Sequence, residues 1–290
     1  MKNLKVYGSF KKGEEILGLG VFDGLHLGHQ EILKVSTSLL TFFPHPLMAL
    51  KKRQVPNLTS LDELRTYVDS LLVIRFSKVL AGLSALEFLE AILWDQIRPK
   101  HIVVGYDFKF GNRQKGDIYL LEKWTKVKGI RLTVVDAVSH QNTVVKSSKI
   151  RALFQDGSFE DAINLIGHSY LIKGMVIKGE GRGRKIGFPT ANIKVNSIKL
   201  LPKPGVYSGH VFLKRKKFAA MIYIGNKPTF NGTYSSVEVH IVGGVFSLYN
   251  RKLAVYLCHQ IRGEVKFSSA AELVSQIKKD IAKASKNVEK

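Results

Sequence analysis

Ile16-Leu-Gly-Leu-Gly-Val-Phe-Asp-Gly-Leu-His-Leu-Gly-His-Gln30 packs an apolar strand, a glycine turn and a helix start into one stretch. Ile16 to Val21 reads as a short buried strand running to Gly24, and residues 26–35 can form a helix. Strand, tight turn and helix open a βαβ unit, and the chain that follows keeps alternating. Leu39 to Phe43 is β-rich and stops at Pro44-His-Pro46. Leu61 to Leu72 has helical spacing behind Thr59 or Ser60 as N-cap, ahead of a strand near Val73 to Phe76. Ser84 to Ile97 is helical again, with Ser84 and Glu87 spaced for a capping box. Ile102-Val-Val104 reads as a buried strand, Ile118 to Val127 as a helix and Leu132 to Val138 as a strand; Ser158 to Ile166 is a helix closed by Gly167. The alternation predicts an α/β unit, a parallel sheet with helices on its faces.

Beyond Tyr170 the period changes. Segments 171–178, 206–213, 218–224, 235–242 and 252–258 are short, β-branched or alternating, and separated by Gly, Pro, Asn and Lys/Arg turns. They predict a small antiparallel barrel or sandwich. A final helix from Ser269 to Ala284 repeats Leu273, Ile277 and Ile281. The expected domains are 1–168 and 169–290, with no internal repeat.

The 290 residues are 45% hydrophobic and 10% aromatic, enough to fill cores and exclude wholesale disorder. No apolar run approaches the ~18 residues of a spanning helix. Met1-Lys-Asn-Leu-Lys5 has no apolar signal core behind it, so the expected location is cytoplasmic, with no membrane partner. One cysteine, Cys258, excludes an internal disulfide framework and a multi-cysteine metal site. The net charge is +22, and residues 171–290 carry 22 Lys+Arg against 6 Asp+Glu. Such a field attracts polyanions: nucleic acid, anionic lipid or phosphorylated small molecules. Its densest run, Lys214-Arg-Lys-Lys217, lies between two strand segments and reads as a solvated hairpin tip, with no specific nucleic acid expected.

Two stretches carry chemistry. After the first strand, Gly24, next to Asp23, and Gly28 allow close backbone approach, and the helix start offers unpaired N–H groups to a phosphate. His26 and His29, three apart, can point to one side and donate to it. The competing explanations are a zinc pair, which would need Asp23 or His45 to converge, or surface histidines. Ser147-Ser-Lys-Ile-Arg151 opens a later helix, where hydroxyls and a guanidinium suit further phosphates; an ordinary N-cap explains it equally well.

The second stretch is Lys178-Gly-Glu-Gly-Arg-Gly-Arg-Lys-Ile-Gly-Phe-Pro-Thr-Ala-Asn192. Gly179, Gly181 and Gly183 permit close approach to an anion, Arg182, Arg184 and Lys185 add charge, and Pro189 precedes Thr190. It lacks P-loop spacing and a following helix. Thr190 and Asn192 supply hard oxygen donors that suit Mg2+ carried with ATP phosphates.

Together with Thr41-Phe-Phe-Pro-His-Pro46, Gly105-Tyr-Asp-Phe-Lys-Phe-Gly111, Pro204-Gly-Val-Tyr207, Ile224-Gly-Asn-Lys-Pro-Thr-Phe230, Val237-Glu-Val-His240, Leu248-Tyr249 and Ile261-Arg-Gly-Glu264, these stretches resemble the bifunctional prokaryotic riboflavin kinase/FMN adenylyltransferases, also called bifunctional FAD synthetases. The resemblance runs from about residue 16 to 284. It implies a Rossmann-like nucleotidyltransferase domain followed by a β-barrel kinase domain with a C-terminal helix. The implied reactions are riboflavin and ATP to FMN and ADP, then FMN and ATP to FAD and pyrophosphate. It further implies that His26 and His29 contact ATP phosphates with Ser147, Ser148 and Arg151, and that Asp107 and Phe108 line a nucleotide or flavin pocket. Thr190 and Asn192 are then the Mg2+–ATP ligands, Glu238 the general base for the ribityl hydroxyl, and Arg262 a flavin neighbour. Three features depart from the family: a shortened helix between Glu31 and Leu40, Lys146 where a serine is usual, and Ser247-Leu-Tyr-Asn250 in place of Asp-Leu-Tyr-Gly. The competing readings are a kinase whose first domain is inactive or retargeted, and a flavin- or RNA-binding regulator.

Overall fold

The computed structural model describes residues 4–51, 55–229 and 232–288. By contacts the chain divides into two compact units, Met1–Ser147 and Ser148–Lys290.

The first unit opens with β1 (Leu4–Tyr7), β2 (Ile16–Leu19), α1 (Leu27–Val35), β3 (Ser38–Phe43), α2 (Pro46–Lys51), α3 (Leu61–Leu64) and β4 (Leu71–Arg75). It continues through α4 (Lys78–Gly82), α5 (Ala85–Phe88), a π-helical run Leu89–Ile97, β5 (His101–Gly105), α6 (Ile118–Lys128), β6 (Arg131–Val135) and a small hairpin, β7 (Ser139–His140) with β8 (Thr143–Val144). The main sheet has the order β1-β4-β3-β2-β5-β6. β2 to β6 pair in parallel, while β1 adds antiparallel to β4 at the edge. Alternate strand residues sort to opposite faces. Leu17, Leu40, Leu72 and Ile102 pack under α5 and the π-helix with Phe88, Leu93 and Trp124, while Leu39, Leu71, Val73 and Val103 pack with Phe22, Leu25 and Ile32.

The short crossover closes through one residue. A Cβ on Gly18 would lie 2.7 Å from Leu39 Cδ2, 2.7 Å from Ser36 Oγ and 2.9 Å from Ile32 Cγ2. Glycine there lets the end of α1 sit directly on β2, so nine helical residues suffice to return the chain to β3.

One expectation needs correction. The helix read over Leu61 to Leu72 is a single turn, α3, capped by Ser60 and Glu63 in a reciprocal capping box. Leu71 and Leu72 are buried in the sheet, so tertiary burial overrides their helical spacing. The Ser84–Glu87 capping box is present. The helix it starts turns π-helical after Phe88 and ends at left-handed Arg98.

The second unit begins with α7 (Ser147–Asp156, whose first residue belongs to the first unit) and α8 (Phe159–Ile166), closed by left-handed Gly167. Six strands follow: β9 (Tyr170–Ile177), β10 (Ala191–Val195), β11 (Gly205–Leu213), β12 (Lys216–Thr229), β13 (Gly232–Ile241) and β14 (Lys252–Gly263). They close into an antiparallel barrel in the order β10-β13-β12-β11-β14-β9. A one-turn helix α9 (Arg182–Lys185) lies in the loop before β10, and α10 (Ala270–Val288) packs on the barrel's outer face against Val206, Met221 and Tyr223. Ile222, Ile224, Val237 and Val239 fill the interior. The helices α7 and α8 pack on the barrel: Phe154 meets Tyr170 at 4.6 Å, Phe159 meets Tyr207 at 4.9 Å, and Glu160 accepts from Gln260 N–H. That packing places the contact division at 147/148, ahead of the boundary at 168/169 drawn from composition. Lys214 and Arg215, both with positive φ, form the tip joining β11 to β12, as the hairpin reading expects.

Two candidate active sites

The first site grows from the C-terminal end of β2, where the sheet order turns from β3 on one side to β5 on the other. Ligands of open α/β sheets bind at such a switch point. Phe22 (φ 54°), Gly24 (φ 98°) and Leu25 (φ 45°) make the turn before α1, and a Cβ on Gly24 would lie 2.9 Å from Leu58. Asp23 is buried and holds the turn: its Oδ1 accepts from Thr59 N–H at 2.8 Å, while Gly24 N–H donates to Thr59 Oγ1 at 3.1 Å. The Ser147 hydroxyl donates to the Asp23 carbonyl at 2.6 Å, which ties the start of α7 to this turn.

His26 caps α1, its Nδ1 accepting from His29 N–H at 3.4 Å. The two rings stack, centroids 3.6 Å apart and 15° from parallel, and Phe22 meets His29 edge-on. Burial first, and the neighbouring His26 second, push the His29 imidazole well below its ordinary range. The buried His29 Nδ1 has no hydrogen-bond partner among the described residues. A helix N-terminus beside two histidine rings suits an incoming phosphate. A Cβ on Gly28 would only touch the His26 ring at 3.4 Å, so glycine is not demanded by internal packing and leaves the first turn open.

Beside the turn lies a pocket open to solvent, formed by Val21, Asp23, Phe42, Phe43, Asn57 and Thr59 among others. Asp107 is exposed in the turn after β5, and Phe108 stacks on Phe110 at 5.5 Å against the sheet's core; neither lines that pocket. Ser148 and Arg151 lie on α7 within the second unit. Lys146 stands over the Tyr106 ring at 5.7 Å. Among the described residues no cluster of three His, Cys, Asp or Glu side chains could hold a metal ion.

The second site crosses strands on the outer face of the barrel. Glu238 on β13 stands opposite Asn192 on β10 and Tyr223 on β12, so the three side chains share a face. The Thr190 hydroxyl donates to Glu238 Oε2 at 3.3 Å. The Asn192 carboxamide lies over Gly179, where a Cβ would fall 2.2 Å from its Nδ2, and Gly183 is pressed against the Phe188 carbonyl. These two glycines are required by close approach, and Gly181 (φ 71°) by backbone conformation. Arg184 and Lys185 are exposed on α9, while Arg182 pairs with Glu180 at 2.6 Å. Pro189, Thr190 and Arg184 border a cleft of about 470 Å³ whose other walls include Val239, Phe246 and Tyr249. Asn250 (φ 58°) holds a left-handed turn beside that cleft, so the departure from glycine keeps the turn.

Sequence reading missed three side chains here. His240, on Glu238's face, hydrogen-bonds the Pro189 carbonyl through Nδ1 at 2.9 Å and steadies the residue before Thr190. The Tyr223 hydroxyl donates to Glu264 at 2.5 Å. Fully buried Asp280 of α10 holds Arg262, which the sequence singles out, through Nε at 3.0 Å and Nη2 at 2.9 Å. Cross-strand register brings Tyr223 to Glu238, and no sequence spacing reveals register. In the motif Ile224 to Phe230, Phe230 lies outside the described residues.

Residues 10–149 match the family described as FAD synthetase, and residues 166–288 match riboflavin kinase. The bifunctional riboflavin kinase/FMN adenylyltransferase of Listeria monocytogenes is 34% identical, over 92% of this chain and 90% of its own. Its namesake in Escherichia coli is 33% identical, over 91% and 90%. A solved Streptococcus pneumoniae protein, described as a macrolide-efflux protein, is 31% identical with a TM-score of 0.80, covering 94% of this chain and 93% of its own. No helix among the described residues of the present chain is long and apolar enough to cross a membrane.

Proposed function

The chain belongs to the bifunctional riboflavin kinase/FMN adenylyltransferase family, and on that premise we propose how its residues divide the two reactions. It phosphorylates riboflavin to FMN and adenylylates FMN to FAD. We assign adenylylation to residues 1–168 and phosphorylation to 169–290, the second beginning where the barrel's first strand does.

In the kinase, Glu238 takes the proton of the ribityl hydroxyl as it attacks the terminal phosphate of ATP. The observation that carries this is the hydrogen-bonded Thr190–Glu238 pair with Asn192 on the same face. Hydroxyl and carboxamide oxygens form a hard donor set that fits Mg2+, which keeps waters and phosphates as its remaining ligands. Bound there, Mg2+ supplies charge neutralisation on the phosphates. Gly179, Gly181, Arg182, Gly183, Arg184, Lys185 and Pro189 frame the nucleotide, and the apolar cleft beside Pro189 suits its base. Arg262, fastened to Asp280, holds α10 over the flavin end.

In the adenylyltransferase, Asp23 and Gly24 shape the turn, Gly28 leaves the helix amides open, and His26 and His29 hold the reacting phosphates. Ser147, Ser148 and Arg151 are assigned to the same phosphates by the family resemblance. Asp107 and Phe108 are assigned to the ATP side beyond β5, and the aromatic pocket beside β3 to the FMN ring: among the described residues its walls include Phe22, Phe42 and Phe43 and no Lys or Arg, which suits a flat ring better than a triphosphate. Both reactions need ATP, which supports a cytoplasmic location.

Thr190→Val tests the kinase assignment. FMN formation should require several-fold more Mg2+, with FAD formation from supplied FMN unaltered. An equal change in both reactions, or in neither, contradicts it.

A further inference from the structure

Asn57 is 7% exposed, and its buried side-chain Oδ1 has no hydrogen-bond partner among the described residues. Its polar neighbours satisfy one another: Asp23 accepts from Thr59 N–H, and Thr59 Oγ1 accepts from Gly24 N–H. A buried acceptor without a partner among the described residues therefore belongs to a residue of the pocket that also presents Phe42 and Phe43. Leaving a buried carboxamide oxygen unpaired costs free energy that an apolar side chain would not, and a ligand donor recovers it.

Resting on the assignment of this pocket to the acceptor ring, we infer that Asn57 is a specificity-determining residue which reads the imide edge of the flavin. That edge presents one N–H between two carbonyls. A carboxamide offers an acceptor and a donor side by side, so Oδ1 takes the imide N–H while Nδ2 faces a flanking carbonyl. The aromatic rings of Phe42 and Phe43 provide apolar surface for the flat ring system. The phosphate end of the same ligand then reaches toward the turn, where Asp23 belongs to both the pocket wall and the Ser147 contact. A site built around a hydrogen bond rejects an analogue that lacks it far more strongly than an apolar site rejects a lost methyl group.

The test compares FMN with its N3-methyl analogue, in which the imide N–H is gone, as acceptors for the full-length protein. In the wild type, methylation should lower kcat/KM for dinucleotide formation on the order of 10–100-fold. Asn57→Leu should bring FMN down to about the level of the methylated analogue, with less than about threefold left between them. The KM for ATP and the rate of riboflavin phosphorylation should not move. A wild type that uses both acceptors equally overturns the inference without any variant, so a variant that failed to fold would not shield it. Methylation that hurts Asn57→Leu as much as wild type places the imide reader elsewhere. A raised ATP KM in Asn57→Leu, with FMN discrimination intact, gives the pocket to the adenine and overturns the underlying assignment. A wild type that makes dinucleotide from neither acceptor contradicts the adenylylation reading itself.

Discussion

The two units build their proposed phosphate sites with opposite devices. The first uses a contiguous stretch: a turn with positive φ at Phe22, Gly24 and Leu25, a helix N-terminus and two stacked imidazoles, all within ten residues of one strand end. The second uses side chains gathered from β10, β12, β13 and β14 and from a glycine loop, aligned only because the barrel closes in one register. A contiguous device tolerates changes elsewhere in its sheet, whereas a cross-strand device depends on the helix and strands that hold register. The nine-residue α1 illustrates the first case, since Gly18 lets its end sit on β2 while the histidine turn forms at its start.

Substitutions can break this contrast in order of expected size. Glu238→Gln removes the carboxylate proposed as proton acceptor of the barrel site. It should lower riboflavin phosphorylation by about 10²–10⁴-fold, read as FMN appearance. Asp280→Asn leaves the Arg262 guanidinium facing a neutral partner in a buried contact. It should destabilise the second unit by about 3–5 kcal/mol in denaturant titration. Gly18→Ala should cost roughly 1–3 kcal/mol in the first unit alone, because its Cβ meets Leu39, Ser36 and Ile32 below 3 Å.

The smallest effect is a pH dependence. Burial first, and Lys217's charge second, lower His210 to about 4. The unfolded chain titrates near 6.5 and binds the proton more readily, so this group's stabilisation is complete above about pH 6.5. It is lost as pH falls toward 4, on the order of 1–2 kcal/mol given the side chain's partial exposure. His210→Gln should flatten that slope of the second unit's unfolding free energy between pH 6.5 and 4, and an unchanged slope would assign it to another group.

The same contrast explains what was legible in the sequence. The histidine turn could be read because its residues are neighbours along the chain, and the Ser60–Glu63 and Ser84–Glu87 caps because a capping box is local. The Gly-Phe-Pro-Thr-Ala-Asn run was readable for the same reason. Tyr223, His240 and Asp280 were not, since each matters through a partner 15 to 51 positions away fixed by register or helix docking. The strand β10 was missed because it is short and follows directly on the loop motif. Leu61 to Leu72 misled because its apolar spacing serves a turn and then a buried strand. Asn57 carries no motif, and its meaning appears only when its neighbours' hydrogen bonds are counted.

On the assignments proposed above, one chain holds two chemically separate sites. The direct test follows riboflavin, FMN and FAD by chromatography in the presence of ATP and Mg2+, for Glu238→Gln, for His29→Asn and for their equimolar mixture. Starting from riboflavin, Glu238→Gln should leave riboflavin unconverted, His29→Asn should stop at FMN, and the mixture should make FAD. A mixture that makes no FAD, or two variants that each lose both reactions, would contradict the separation of the sites.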